Sequence, residues 1–384
     1  MKNQRRLLLV PVVLLLLFCL PGCWNYSEVD DMSIVAGVAI DRNQADGKLL
    51  LTAEIVDTNG GTDRAEAGVK VISLSGDTMF EIVRNMISLT GKKLFWSHAK
   101  CIIISEELAR EGLVKVVDWY SRDTETRSDV FIFVSGGKTA REILKPNSKN
   151  NEIVSFELAQ IMRDEKFTSS APVVEIWDFI DKLETSGNSA IAPMVHIHER
   201  DGGQYKKVEG TAIFVKDRMV GRLDGEESKS MLVIKNALQG GVIAVEDKHG
   251  KPAYSLEVIS NQTKVKPSMA GDELQIQIKS LTKTGLDEVM NADGFLAGES
   301  IDDIEARAGR DLQEKLLAVI HKIQREYDAD ICGFGEKIHE NNPGIWKKVK
   351  GNWPQRFAEM DVTVSSKVVI QSTAKTSRAI RLGD

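Results

Sequence analysis

The sequence predicts an α+β fold: several mixed α/β units, mostly antiparallel sheets flanked by helices, with one long amphipathic helix in the C-terminal half. Three observations carry that expectation. Strand-like runs with period-two alternation, clearest at Leu274, Ile276 and Ile278, dominate the C-terminal half. Ile301, Ile304, Ala308, Leu312, Leu316, Ile320, Ile323 and Tyr327 then recur every three or four positions, the signature of a helix with one apolar stripe. A last alternating run, with Val362, Val364, Val368 and Ile370, returns after that helix. A length of 384 residues suits two or three domains, and 42% apolar with 28% charged residues suits a globular chain.

Taken in order, residues 33–41 and 49–56 read as strands joined through a turn-rich 42–48. A polar loop opens at Asn59-Gly60-Gly61. Asp77 is the expected N-cap of a helix over 78–89, whose Phe80, Val83, Met86 and Ile87 share a face. A buried strand over 99–104 leads to Ser105, which caps a helix over 106–111 that ends at Gly112. A helix over 113–121, a strand over 129–134 and a helix over 138–144 follow, the last stopped by Pro146. Helices over 152–163 and 173–183, the second opened by Pro172, precede a run over 190–199. The polar stretch 200–204 is the expected domain boundary. Beyond it come a hairpin (211–215 and 219–223), a helix over 226–238, and strands over 241–246, 253–259, 262–266 and 273–281. No fixed-period repeat is visible.

The first 22 residues read as a secretory signal. Lys2, Arg5 and Arg6 form a basic start, and the apolar run from Leu7 to Leu20 is too short for a comfortable membrane span. The Gly22-Cys23 pair at its end resembles the lipobox of bacterial lipoproteins, which implies a diacylglyceryl group on Cys23 and cleavage before it. Two acyl chains give stable attachment where one gives only reversible binding. An ordinary secreted protein or a simple N-terminal anchor are the alternatives, and both still export the chain. Only residues 24–32 separate Cys23 from the first strand, a reach of at most about 30 Å, so the folded body is expected close to the membrane.

The chain carries 50 basic and 56 acidic residues, and loss of the three basic residues of the signal takes the net charge from −6 to −9. That balance argues against nucleic acid and against a polybasic membrane-binding face. Cys101, inside an apolar run, and Cys332 read as buried free thiols, not as a disulfide framework.

Several motifs resemble chemistry without completing it. Ser135-Gly136-Gly137-Lys138-Thr139 has the tail of a phosphate-binding loop, but Ile132 stands where the first glycine belongs. A helix-capping turn is the better reading. His196 and His198 share a strand face, with only Glu199 and Asp201 near them as further ligands, so they read as strand histidines. His98 has no nucleophile partner. Asp123 and Glu125, among Arg122 and Arg127, suit ion pairing better than paired-carboxylate catalysis. No enzyme, metal, nucleotide or other cofactor is expected.

Gly22-Cys23-Trp24-Asn25, Ile34-Val35-Ala36-Gly37 and Ile40-Asp41 resemble the start of the C-subunit lipoproteins of bacterial spore germinant receptors, the GerAC-type family. The resemblance continues through Ser97-His98-Ala99-Lys100, Ser105-Glu106-Glu107-Leu108-Ala109, Arg122-Asp123-Thr124-Glu125-Thr126-Arg127, Gly210-Thr211-Ala212-Ile213-Phe214 and Val220-Gly221-Arg222-Leu223. It ends in Asp330-Ile331-Cys332-Gly333-Phe334-Gly335, Asn342-Pro343 and Trp353. It implies a non-enzymatic subunit, lipid-anchored on the outer face of the spore inner membrane, which assembles with membrane A and B subunits that respond to nutrients. It also implies a signal over 1–22, an N-terminal germination domain over 23–200 and a C-terminal α+β domain over 205–375. Cys23 is the one functional residue it transfers. The alternative is an extracytoplasmic solute-binding lipoprotein, which should show two similar lobes and a flexible tether.

One stretch invites a partner. Between residues 330 and 353, Gly333 and Gly335 loosen the chain while Phe334, Trp346 and Trp353 supply large apolar area. These three aromatics either anchor a partner or pack inward beneath the C-terminal sheet.

Overall fold

The computed structural model describes residues 32–57, 68–145, 153–200, 203–247, 249–290 and 300–373. Nine strands build one sheet: β1 (Met32–Arg42), β2 (Leu49–Asp57), β3 (Gly68–Gly76), β4 (Lys93–Phe95), β5 (Cys101–Ser105), β6 (Phe131–Ser135), β7 (Ile191–Arg200), β8 (Gly203–Val215) and β9 (Arg218–Leu223). Their order is β3-β2-β1-β5-β6-β7-β8-β9, with β4 beside the start of β1. The centre, β1-β5-β6-β7, is parallel, and an antiparallel pair of strands extends it on each side.

A parallel centre needs cover on both faces, and the sequence supplies it by alternation. Val38, Ile40, Ile102, Ile104, Ile132 and Val134 enter one core. Ala39, Cys101, Ile103 and Phe133 face the other way into a second. The first core is roofed by α1 (Met79–Thr90), α2 (Glu106–Glu111), α3 (Val114–Arg122) and α5 (Ile176–Glu184), the second by α4 (Val154–Asp164). Both Cys101 and Cys332 are buried free thiols, as expected, and burial pushes each up to about 12.

The second sheet has the order β10 (Val242–Glu246), β11 (Pro252–Ala270), β12 (Glu273–Val289), β13 (Asp361–Thr373). A single antiparallel ladder joins β11 to β12 from Tyr254↔Val289 to Ala270↔Glu273, so the two strands expected over 253–259 and 262–266 are one strand with a bulge. The crossover from β12 to the parallel β13 is α7 (Ile301–Lys322), a π turn at Ile323–Tyr327, and the short helices α8 (Phe334–Asn341), α9 (Pro343–Val349) and α10 (Trp353–Glu359). Ser300 and Asp303 start α7 with a reciprocal capping box. Its stripe, Ile304, Ala308, Leu312, Leu316 and Ile320, lies buried against the sheet. Between the sheets, α6 (Gly225–Lys235) starts at its own capping box, Asp224 with Glu227.

Four local expectations need correction. The helix expected over 138–144 is a series of turns, in which the Asp41 carboxylate, from the end of β1, accepts the N–H groups of Ala140 at 2.6 Å and Arg141 at 3.0 Å. The N-cap of α1 is Thr78, whose hydroxyl accepts from Glu81 N–H, while Asp77 pairs with Lys48 at 2.8 Å. Pro172 lies ahead of α5, which begins at Ile176. Strand β3 falls where no element was expected, at a half-exposed sheet edge whose Lys70, Ser73 and Ser75 dilute the apolar signal. The sheet also runs across the expected boundary at 200–204, since Arg200 of β7 pairs with Gly203 of β8.

Candidate functional site

Each sequence-predicted site residue has a definite fate. Cys23 and the signal lie outside the described residues. Phe334, Trp346 and Trp353 are 0%, 5% and 6% exposed, so the inward alternative holds and the partner-anchor reading of these three is corrected. Trp346 meets Trp353 edge-on at 5.4 Å, and Phe357 stands 6.4 Å from both Trp353 and Phe334. The cause is the short-helix crossover itself: three small helices cannot each bury a stripe, so they pool their aromatics into one cluster.

The phosphate-loop resemblance ends in a self-satisfied turn. The Ser135 hydroxyl accepts from Gly137 N–H at 3.2 Å and donates to the Thr139 carbonyl at 3.0 Å, and Asp41 takes the next two amides. His196 packs on Gly136, its Nε2 3.2 Å from the Glu209 carbonyl oxygen, and no metal-ligating cluster occurs among the described residues. Glu125 pairs with Lys93 at 2.5 Å, while the Asp123 carboxylate closes its own turn on Glu125 N–H at 2.8 Å. Arg122 and Arg127 bind Asp118 and Asp129 instead. Glu125, Arg122 and Arg127 thus serve in ion pairs, though not with one another, and Asp123 serves in a turn.

What the structure brings together is a junction between the two halves of the chain. The segment from Asp330 to Glu336 docks on the loop after α5. Ser189 N–H donates to the Asp330 carbonyl at 2.9 Å, and Glu336 N–H to the Gly187 carbonyl at 3.1 Å. The Glu336 carboxylate receives Lys182 at 2.9 Å and the Asn188 amide at 2.6 Å, and Lys235 reaches the Ile331 carbonyl at 3.0 Å. Gly187 and Gly335 approach so closely that a Cβ on Gly335 would lie 2.6 Å from the Gly187 carbonyl oxygen and 2.7 Å from the Trp353 ring. Inside, Asp330 is 3% exposed and accepts the N–H groups of Phe334 at 3.0 Å and Gly335 at 2.8 Å, capping α8.

Burial outweighs those hydrogen bonds and pushes the Asp330 carboxyl up to about 6 from its ordinary 3.8. The sign follows by linkage. Between those values the folded chain holds a proton that the unfolded chain has released, so this group's stability is fully present below 3.8 and is lost as pH rises through 6. The loss is about 3 kcal/mol at ~1.4 kcal/mol per pH unit. Urea denaturation of the wild type and Asp330→Asn should show it: the stability difference between them shrinks as pH rises from about 4 to about 7. A difference that stays flat would refute the assignment.

Beside the junction lies a groove of about 460 Å³. Asp178, Lys182, Asn188 and Lys235 line its polar side, and Met162 and Phe179 its apolar side. Burial raises the Asp178 carboxyl, opposed by the charges of Lys182 and Lys235. Around it, Phe167, Val173 and Trp177 are 65%, 52% and 53% exposed, large apolar side chains left to solvent. No local pattern announces this groove, because its lining comes from four separated segments.

Known proteins account for this architecture. A family model described as the spore germination protein N-terminal domain matches residues 25–197, and one described as spore germination B3/GerAC-like, C-terminal, matches 209–374. Spore germination protein YndF of Bacillus subtilis is 26% identical over 98% of this chain and 99% of its own. Spore germination protein KC of the same organism is 27% identical over 98% of both chains. The crystal structure of the GerBC protein shares the fold, with a TM-score of 0.56 over 87% of this chain and 97% of that one, at 22% identity. The motif Asp330–Gly335, met in the sequence as a resemblance, is the segment that knits the halves together. The chain belongs to the GerAC-type family of spore germination proteins.

Proposed function

We propose that the protein is a non-enzymatic, lipid-anchored subunit of a nutrient germinant receptor, held at the outer face of the spore inner membrane through Cys23 and acting by assembly with membrane A and B subunits. The observation that carries this reading is the match of both family domains, in order, from residue 25 to 374. The buried carboxylates agree with it: Asp41, Glu54 and Asp330 are each occupied by backbone N–H groups, a structural employment and not a catalytic one. Contacts with the membrane subunits fall to exposed side chains such as Phe167 and Trp177, since Phe334, Trp346 and Trp353 are interior.

Metabolic labelling with a palmitate analogue tests the anchor. Cys23→Ala is expected to abolish labelling, to shift the protein off the membrane, and to reduce recovery of the A and B subunits in a pull-down. Equal labelling of the variant and the wild type would defeat the lipid-anchor reading.

A further inference from the structure

The outer face of the second sheet carries a charge opposite to that of the molecule. Inward along β12 and β13 point Ile276, Ile278, Ser280, Thr282, Val362, Val364 and Val368. Strand alternation therefore sends Lys279, Lys283 and Lys367 outward, and the ladder sets Lys264 and Lys266 of β11 beside them. Lys264 stands directly across from Lys279, Lys266 from Gln277, and Leu281 lies between Gln262 and Lys367. At strand spacings of about 4.8 Å and same-face repeats of about 6.7 Å, the five ammonium groups share one patch. No carboxylate of the described residues interrupts it; Glu273 and Asp361 lie at one end, and Glu257 and Asp287 at the other.

These lysines differ from the paired lysines of the first sheet and its turns. Lys48, Lys93 and Lys207 each hold a carboxylate, whereas Lys264, Lys266, Lys279, Lys283 and Lys367 form no ion pair among the described residues. Like charges directly opposite, as at Lys264 and Lys279, cost a sheet stability. Among the described residues, the acids in outward positions of this sheet, Glu257, Glu273, Asp287 and Asp361, stand beyond the ends of the lysine patch.

We propose that this lysine face docks the protein on an anionic lipid membrane. Among the described residues the face is an open pleated sheet whose cations are all lysine. Lysine is a hydrated point charge suited to diffuse attraction, where recognition of a single carboxylate or phosphate favours the bidentate fork of arginine. The inference rests on the membrane location proposed above, and it supplies what a short tether leaves open, the orientation of the folded body on the bilayer.

The test uses the full chain carrying Cys23→Ala, so that no acyl group contributes. It compares co-sedimentation with vesicles of phosphatidylcholine alone and of phosphatidylcholine mixed with phosphatidylglycerol. Binding is expected to rise with phosphatidylglycerol and to fall with added salt. Lys264→Gln/Lys279→Gln/Lys367→Gln should lower that binding about a hundredfold, a factor of about five per lysine, with an unchanged or higher melting temperature. Binding indifferent to phosphatidylglycerol would report the N-terminal apolar run alone and overturn the proposal. So would a triple variant that binds vesicles like its parent, or one that loses only an acidic protein partner. Lipidation at Cys23 has its own labelling readout, so the two readings fail separately.

Discussion

Trp353→Ala is expected to destabilise the folded chain by about 3–5 kcal/mol, the usual cost of emptying a large aromatic site. The indole is 6% exposed, edge-on to Trp346 at 5.4 Å, and forms the wall against which Gly335 packs. Removing it opens a cavity at the junction of the two halves, where the glycine backbones leave no side chain able to collapse inward. Urea denaturation should show a lower midpoint at a similar slope, and Trp353→Phe should recover part of the loss. A change below about 1 kcal/mol, together with weaker co-purification of partners, would restore the anchor role.

Glu54→Ala should rival it. Glu54 lies in β2 with 0% exposure, a full 100 positions in sequence from the helix that it caps. Its carboxylate accepts Val154 N–H and Ser155 N–H at 2.8 Å each and the Ser155 hydroxyl at 2.5 Å. Alanine leaves all three donors at the start of α4 without an acceptor. At about 1–3 kcal/mol per unsatisfied buried group, the three donors make the loss at least about 3 kcal/mol. Glu54→Gln retains one acceptor oxygen and should cost about half as much. Hydrogen exchange gives the sharper readout: protection should fall first in α4, and a uniform loss across the chain would argue against this cap.

The elements legible in the sequence were those whose signal is local. Strong alternation gave β12 and β13, a three-four stripe gave α7, and Ser105 was identified as a cap from its place before Glu106 and Glu107. The features missed depend on distant partners. Asp41 and Glu54 read as ordinary strand residues, yet each holds backbone N–H groups about a hundred positions away. Net charge misled in a related way. A sum of −6 hid a patch of five lysines with its acids only at the ends, because lysines about a hundred positions apart meet only when strands pair. The aromatics near residue 340 were visible as a group, but their direction was not, since short helices without a full stripe carry no clear inside face.

The β7–β8 pairing bears on how the family's two regions are inherited. The family models stop at 197 and resume at 209, yet those residues sit on neighbouring strands bonded from Ile191↔Ile213 to Arg200↔Gly203. A gene split there would yield two polypeptides, each exposing one bare strand of the same ladder. Neither could evolve its own quaternary attachments freely, because each would be the other's obligate edge. Recombination that swaps only one half between paralogues must preserve this seam, strand against strand, before it can change anything else.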